Sequence, residues 1–237
     1  MKRFLPVFLA SPLVVLAAAL ATPEATRLLD AALAAHGGAA LANLRTYRET
    51  ATLTTYATGQ PENTLIAVSY VDFRAERLRI EYRDGDTLIQ VIQCTPRQSQ
   101  SWSAQTGLKA LNPELAKDLR DGFYQNWYGL RLGGTGRETA RLGGVRAFAD
   151  ARGQTLEVST KGAKTTYLFN AKNQLLAERF ESSQGRSTVV YGDLRPVSGI
   201  LIPFQARIYS GGTLFAEAKV REAKVNPVLG ESVWKMP

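Results

Sequence analysis

The chain holds 237 residues, with 29 Lys and Arg against 21 Asp and Glu, a formal charge of +8, one His and one Cys. One imidazole and one thiol cannot build a zinc site of nitrogen and sulfur ligands, one cysteine closes no internal disulfide, and a catalytic triad would have only His36 as its base. Hydrophobic residues at 45% and charged ones at 21% describe a globular chain, long enough for one large domain or two small ones.

Lys2 and Arg3 precede an uncharged, mostly apolar run, Phe4 to Leu20, and Ala19-Leu20-Ala21 supplies small residues at the positions a signal peptidase reads. Residues 1–21 therefore read as a cleavable signal peptide, and residues 22–237 as a single exported domain. Pro6 and Pro12 and the shortness of the run argue against a membrane anchor, and no Cys follows the cleavage site to be lipidated. Losing Lys2 and Arg3 leaves a mature charge of +6. Cys94 then travels alone into an oxidising compartment, where a buried small hydrophobe is the simplest role for it.

Pro23 to His36 reads as a helix, with Leu29, Ala32 and Leu33 at helical spacing and Gly37-Gly38 as its stop. His36 falls in the last turn, where a partly positive side chain would suit the helix dipole. From Tyr47 the period changes from 3.6 to 2. Tyr47–Ala57, Thr64–Arg74, Arg77–Arg83, Thr87–Gln93 and Gln100–Ala104 are candidate strands, broken by the Gly59–Asn63 turn and the Asp84-Gly85 hairpin signal. A second helix is expected over Pro113–Tyr128, capped by Asn112. Its stripe is Leu115, Leu119, Phe123 and Trp127, with Lys117, Asp118, Arg120 and Asp121 facing away. Eight further strand-like stretches follow, separated by Gly and Asn turns, as in an antiparallel meander.

No stretch carries an obvious chemistry. Gly133-Gly134-Thr135-Gly136 lacks the preceding strand, the following helix and the lysine of a phosphate loop, and reads as a plain loop. The acids are scattered. The basic residues are also dispersed: Arg77, Arg79 and Arg83 alternate along one strand, while Arg83, Arg97 and Lys109 could meet anionic head groups. No nucleic-acid-binding motif is present, so nucleic acid is not an expected partner. What stands out is apolar surface. The chain has 21 aromatics, and Trp102, Phe123, Tyr124, Trp127 and Tyr128 gather on or near the second helix. Each alone reads as core. Together, beside a curved sheet, they could line a cleft for an acyl chain, a ligand that offers few hydrogen bonds.

Three stretches carry a family resemblance. The first is Ala35-His36-Gly37-Gly38-Ala39 before the first strand. The second runs from Phe73-Arg74-Ala75-Glu76-Arg77 through Tyr82 to Asp84-Gly85 and Trp102. The third is Tyr191-Gly192-Asp193-Leu194-Arg195-Pro196 to Pro203, closing with Asn226-Pro227 and Trp234-Lys235-Met236-Pro237. In this order they resemble the LolA/LolB-like superfamily of periplasmic lipoprotein carriers and receptors. The resemblance implies a mainly β, α+β fold: an incomplete antiparallel β-barrel (half-barrel) of about eleven strands with a helical lid over an apolar cavity. It also implies binding of lipoprotein acyl chains or other lipid, without a cofactor and without a catalytic centre. By position Arg74 corresponds to the family arginine that holds the lid, although Ala75 stands where the family has proline. Leu78, Ile80, Tyr82, Trp102, Phe123 and Trp127 are the expected lining. An exported monomer that approaches anionic membrane surfaces fits this reading. The rivals are an envelope sensor or scaffold for a protein partner, marked by an exposed apolar patch, and a cell-envelope hydrolase, marked by carboxylates clustered in the cleft.

Overall fold

The computed structural model describes residues 21–237; the signal-peptide reading of residues 1–21 lies outside this range except at Ala21. Thirteen antiparallel strands form one sheet. They are β1 (Thr46–Ala57), β2 (Gln60–Asp72), β3 (Arg77–Asp84), β4 (Thr87–Cys94), β5 (Ser99–Ser103), β6 (Gly107–Ala110), β7 (Thr139–Phe148), β8 (Ala151–Thr160), β9 (Ala163–Phe169), β10 (Leu175–Ser182), β11 (Gly185–Val197), β12 (Ile200–Ser210) and β13 (Thr213–Val225). The sheet order is β6-β5-β4-β3-β2-β1-β13-β12-β11-β10-β9-β8-β7, so β1 joins β13 at the centre and the sheet stays open between β6 and β7. The thirteen strands stand where the resemblance implied about eleven. Strand β6 is one that the sequence pattern did not single out, and β2 begins earlier than expected, because the turn after β1 is tighter than Gly59–Asn63 and Pro61 pairs with Tyr56 beside a register shift. Gly143-Gly144 bulges β7 without ending it.

The topology explains the lid. The chain leaves one free edge at β6 and must reach the other at β7, and residues 111–138 make that crossing over the inner face of the sheet. They form α3 (Pro113–Asp121), a turn, α4 (Asn126–Gly129) and a 3-10 turn (Leu130–Leu132). A single helix to Tyr128 was expected. It breaks because Gln125 is extended, Asn126 has φ of 60°, and the Asn126 N–H donates to the Glu178 carboxylate at 2.8 Å, away from the helix.

The N-terminal helix α1 (Pro23–Ala35) is capped by Thr22, whose hydroxyl accepts from the Ala25 N–H, and it buries Ala25, Leu29 and Ala32. These pack with Ala140, Leu156 and Phe169 in the main core over the C-terminal strands. Gly37 follows with φ of 121°, and a Cβ there would stand 2.4 Å from the Gly199 carbonyl oxygen, so only glycine fits. A short helix, α2 (Ala39–Ala42), completes the corner. His36 does cap α1, but it is fully buried and neutral. Its Nε2 accepts from the Leu175 N–H at 3.0 Å, which leaves Nδ1–H to donate to the Leu201 carbonyl at 3.0 Å. Burial lowers its pKa, so the positive helix-end role expected from the sequence is replaced by a bridge between β10 and β12.

On the outer face of β3 and β4 the chain terminus folds back. Trp234 is buried under the Arg77 guanidinium, 4.4 Å from the ring centroid, and Arg79 donates to the Lys235 carbonyl at 3.0 Å. The Asn226 side chain accepts from the Arg45 and Thr46 N–H groups and pins the end of β13 beside the start of β1. Cys94 is buried, as its apolar neighbours implied.

Candidate functional site

Side chains alternate across each strand, so the register decides which residues meet. Val71 pairs with Tyr47 and with Leu78; Ser69 pairs with Glu49 and with Ile80. On the other half, Ala206 pairs with Ala218 and with Tyr191, and Ile208 with Val189. A register shift beside Ala51 keeps Val220 on the same face as Ala223. These rows form the inner face, and the crossing segment roofs them with Leu119, Phe123, Trp127 and Tyr128. Between floor and roof lies a cavity of about 340 Å³. The roof is well packed: Trp127 stands edge-on to Tyr47 with ring centroids 5.2 Å apart, and Phe73 sits against Phe123 and Tyr128.

Leu78, Ile80, Phe123 and Trp127 are on the cavity wall. Tyr82 points to the same face as Leu78 and Ile80, but it lies further along β3 beside the Asp84-Gly85 hairpin, opposite Ala67, beyond the wall. Trp102 pairs with Val91, which pairs with Glu81, and this register puts it on the outer face. Arg74 sits in the β2–β3 turn with its side chain exposed; among the described residues its guanidinium makes no hydrogen bond. Asp118, expected to face solvent, accepts from the N–H and hydroxyl of Ser183 at 2.9 and 2.6 Å and so ties α3 to the β10–β11 hairpin.

The roof is held by arginines that the sequence reading passed over. Arg131 donates to the Phe123 and Tyr128 carbonyls at 2.7 and 3.1 Å and lies over the Phe73 ring. Buried Arg137 donates to the Gly129 carbonyl at 2.6 Å, to the Thr160 hydroxyl at 2.7 Å, and to the Tyr124 and Gly133 carbonyls at 3.3 Å. At Gly129 a Cβ would meet the Tyr124 carbonyl oxygen at 2.6 Å, so the close approach requires glycine. Glu76, in the β2–β3 turn, accepts from the Tyr124 hydroxyl and from Lys161 of the β8–β9 turn, bridging the two halves of the sheet across the crossing segment.

The site is apolar but not featureless. Tyr47 donates to Glu49 Oε2 at 2.8 Å, and Glu49 Oε1 has no partner among the described residues. Burial pushes the Glu49 carboxyl up. Tyr191 and the Asn126 N–H donate to the two oxygens of Glu178, whose burial pushes its pKa up to about 7. Burial also raises Tyr128 and Tyr191, so both hydroxyls stay protonated; Tyr191 donates to Glu178, and Tyr128 accepts from the Asn126 side-chain amide at 3.1 Å. Glu49 was legible in the sequence as an acid in step with Tyr47 and Ala51 on one strand face, but nothing there marked that face as the inner one.

No protein-family model and no curated protein matches the chain by sequence. Its fold does match solved structures. A DUF1329 family protein from Desulfovibrio piger aligns with a TM-score of 0.61 at 12% identity over 90% of this chain and 98% of that one. A LolA superfamily protein from Nitrosomonas europaea aligns with a TM-score of 0.59 at 13% identity over 90% and 97%. The chain thus has a LolA-like open-barrel fold.

Proposed function

We propose that this protein is an exported single-domain carrier, residues 22–237 after removal of a signal peptide, that shields lipid or lipoprotein acyl chains from water. The observation that carries this is the cavity of about 340 Å³, walled by Val71, Leu78, Ile80, Phe123, Trp127 and Val220 between the inner sheet face and the crossing segment. Its size is that of a ligand site, and its wall suits a chain that gains about 0.8 kcal/mol for each methylene it buries. Glu49 supplies one polar anchor on the wall, its Oε1 open to a hydrogen bond with the polar head of such a chain. Arg131 and Arg137 hold the roof, the role the family resemblance assigned to Arg74. The chemistry is desolvation, with no catalytic step. No helix among the described residues is long and apolar enough to cross a membrane. In this reading the carrier works as a monomer that approaches anionic membrane surfaces.

Native mass spectrometry of protein purified from membranes, with solvent extraction, tests this together with titration of a fluorescent fatty acyl probe. Co-purifying lipid or lipopeptide, and saturable probe binding, are expected. Absence of both overturns the reading.

A further inference from the structure

Of the basic residues that the sequence offered to head groups, Arg83 is engaged by Glu81; its β3 neighbours are engaged too, Arg77 with Asp72 and Glu231 and Arg79 with Glu81. Elsewhere the pattern differs. On the outer face of β7–β10, one cross-strand row runs Arg141, Glu157, Thr166, Arg179, and the next brings Thr139, Ser159 and Lys164 together. Arg186 lies opposite Glu181 on the adjoining strand pair. These residues line a groove of about 590 Å³. The two acids are already matched, Glu181 to Arg186 at 2.9 Å and Glu157 to Arg146 at 3.8 Å. Arg141, Lys164 and Arg179 have no carboxylate partner among the described residues.

Arg179 is the pivot. It is half-buried, its Nε donates to the Thr188 hydroxyl at 3.2 Å, and its guanidinium lies 3.9 Å over the Phe148 ring. Burial and then the repulsion of Arg186 and Arg146 lower its pKa. Stacking fixes the plane of the guanidinium and leaves its terminal N–H groups free. A fixed fork with the Thr166 hydroxyl on the next strand, Lys164 two residues along that strand, and Arg141 and Thr139 further across the same groove matches an oxyanion with several acceptor oxygens. The inner cavity cannot supply that anion, because the adjacent row, Leu156, Tyr167 and Glu178, faces the other side of the sheet.

We propose that this groove is a second binding site, for a phosphate group, centred on Arg179 with Arg141 and Lys164. Two sources share that chemistry, free phosphate and the head group of an anionic phospholipid. Inorganic phosphate is titrated calorimetrically, and vesicles of phosphatidylglycerol in phosphatidylcholine are tested by co-sedimentation, both at low salt. Binding in at least one arm is expected. It should weaken roughly tenfold in Arg179→Gln and in Lys164→Gln, and not in Lys224→Gln, which removes the same charge from β13. Binding of phosphate and vesicles identifies the phosphate group itself as sufficient; binding of vesicles alone identifies the lipid head group. No binding in either arm, or losses no greater than that of Lys224→Gln, overturns the site. Lys164 is exposed, so its variant decides the matter if Arg179→Gln fails to fold. Acyl-probe binding on the inner face should be unchanged in both, which separates this site from the cavity.

Discussion

At the residue scale, two buried titratable groups pull stability in opposite directions with pH. His36 is held neutral, with its pKa lowered. Below about pH 6.5 the unfolded chain takes up a proton that the folded one refuses, so this contribution is lost as pH falls. Glu178 is raised from 4.5 to about 7. Between those values the folded chain binds the extra proton, so its contribution is present at low pH and is lost as pH rises through 7, by roughly 3 kcal/mol in all. Gln in place of Glu178 can accept from Asn126 and donate to the Tyr191 oxygen while never ionising. Urea unfolding of Glu178→Gln from pH 5 to 8 should therefore show stability rising with pH, with the variant gaining on the wild type toward pH 8. Parallel profiles would mean Glu178 is ionised in the folded protein.

At the scale of elements, the crossing segment is organised more by partners than by helical propensity. Its stripe of Leu119, Phe123 and Trp127 faces inward as spacing predicts, yet the helix stops at Asp121, because Gln125 is extended and the Asn126 N–H turns to Glu178. Arg137 ties four points around this segment. Arg137→Met keeps much of the bulk and removes the donors, leaving buried carbonyls unpaired at roughly 1–3 kcal/mol apiece. Hydrogen exchange should quicken across residues 122–133 by far more than across β11–β13. Uniform loss of protection over the whole sheet would show that Arg137 supports the fold in general and not the roof.

At the scale of the whole molecule, one topological fact produces the cavity. The meander is opened where its edges fail to meet, and the connection between those edges must pass over the inner face. Trp127 is both wall and core, being 5% exposed and packed on Tyr47, so its substitution mixes binding with stability. Ala218 is the cleaner probe, since it lies on the floor opposite Ala206. Ala218→Phe should grow into the cavity and weaken acyl-probe binding roughly tenfold, while the melting temperature moves by about 3 °C or less. A large fall in melting temperature with unaltered probe binding would mean the floor is packed solid.

Strand alternation, helix caps and turn residues are local properties. They made most strands, α1, the start of α3 and the inner position of Leu78, Ile80, Phe123 and Trp127 readable without coordinates. Register is not local. Trp102 falls outside because of which residue it pairs with two strands away, and Tyr82 because of where along β3 the roof crosses. The same holds for Glu49 facing inward, for His36 bridging two strands distant in sequence, and for Arg141 and Arg179 sharing one outer row across four strands. The sequence by itself determined a β meander with an amphipathic crossing segment and too little His and Cys for a zinc site of nitrogen and sulfur ligands. Only the tertiary structure decided which faces of that meander became a largely apolar cavity and a basic groove, because cross-strand register, set by contacts over the whole chain, assigns each alternating side chain its side.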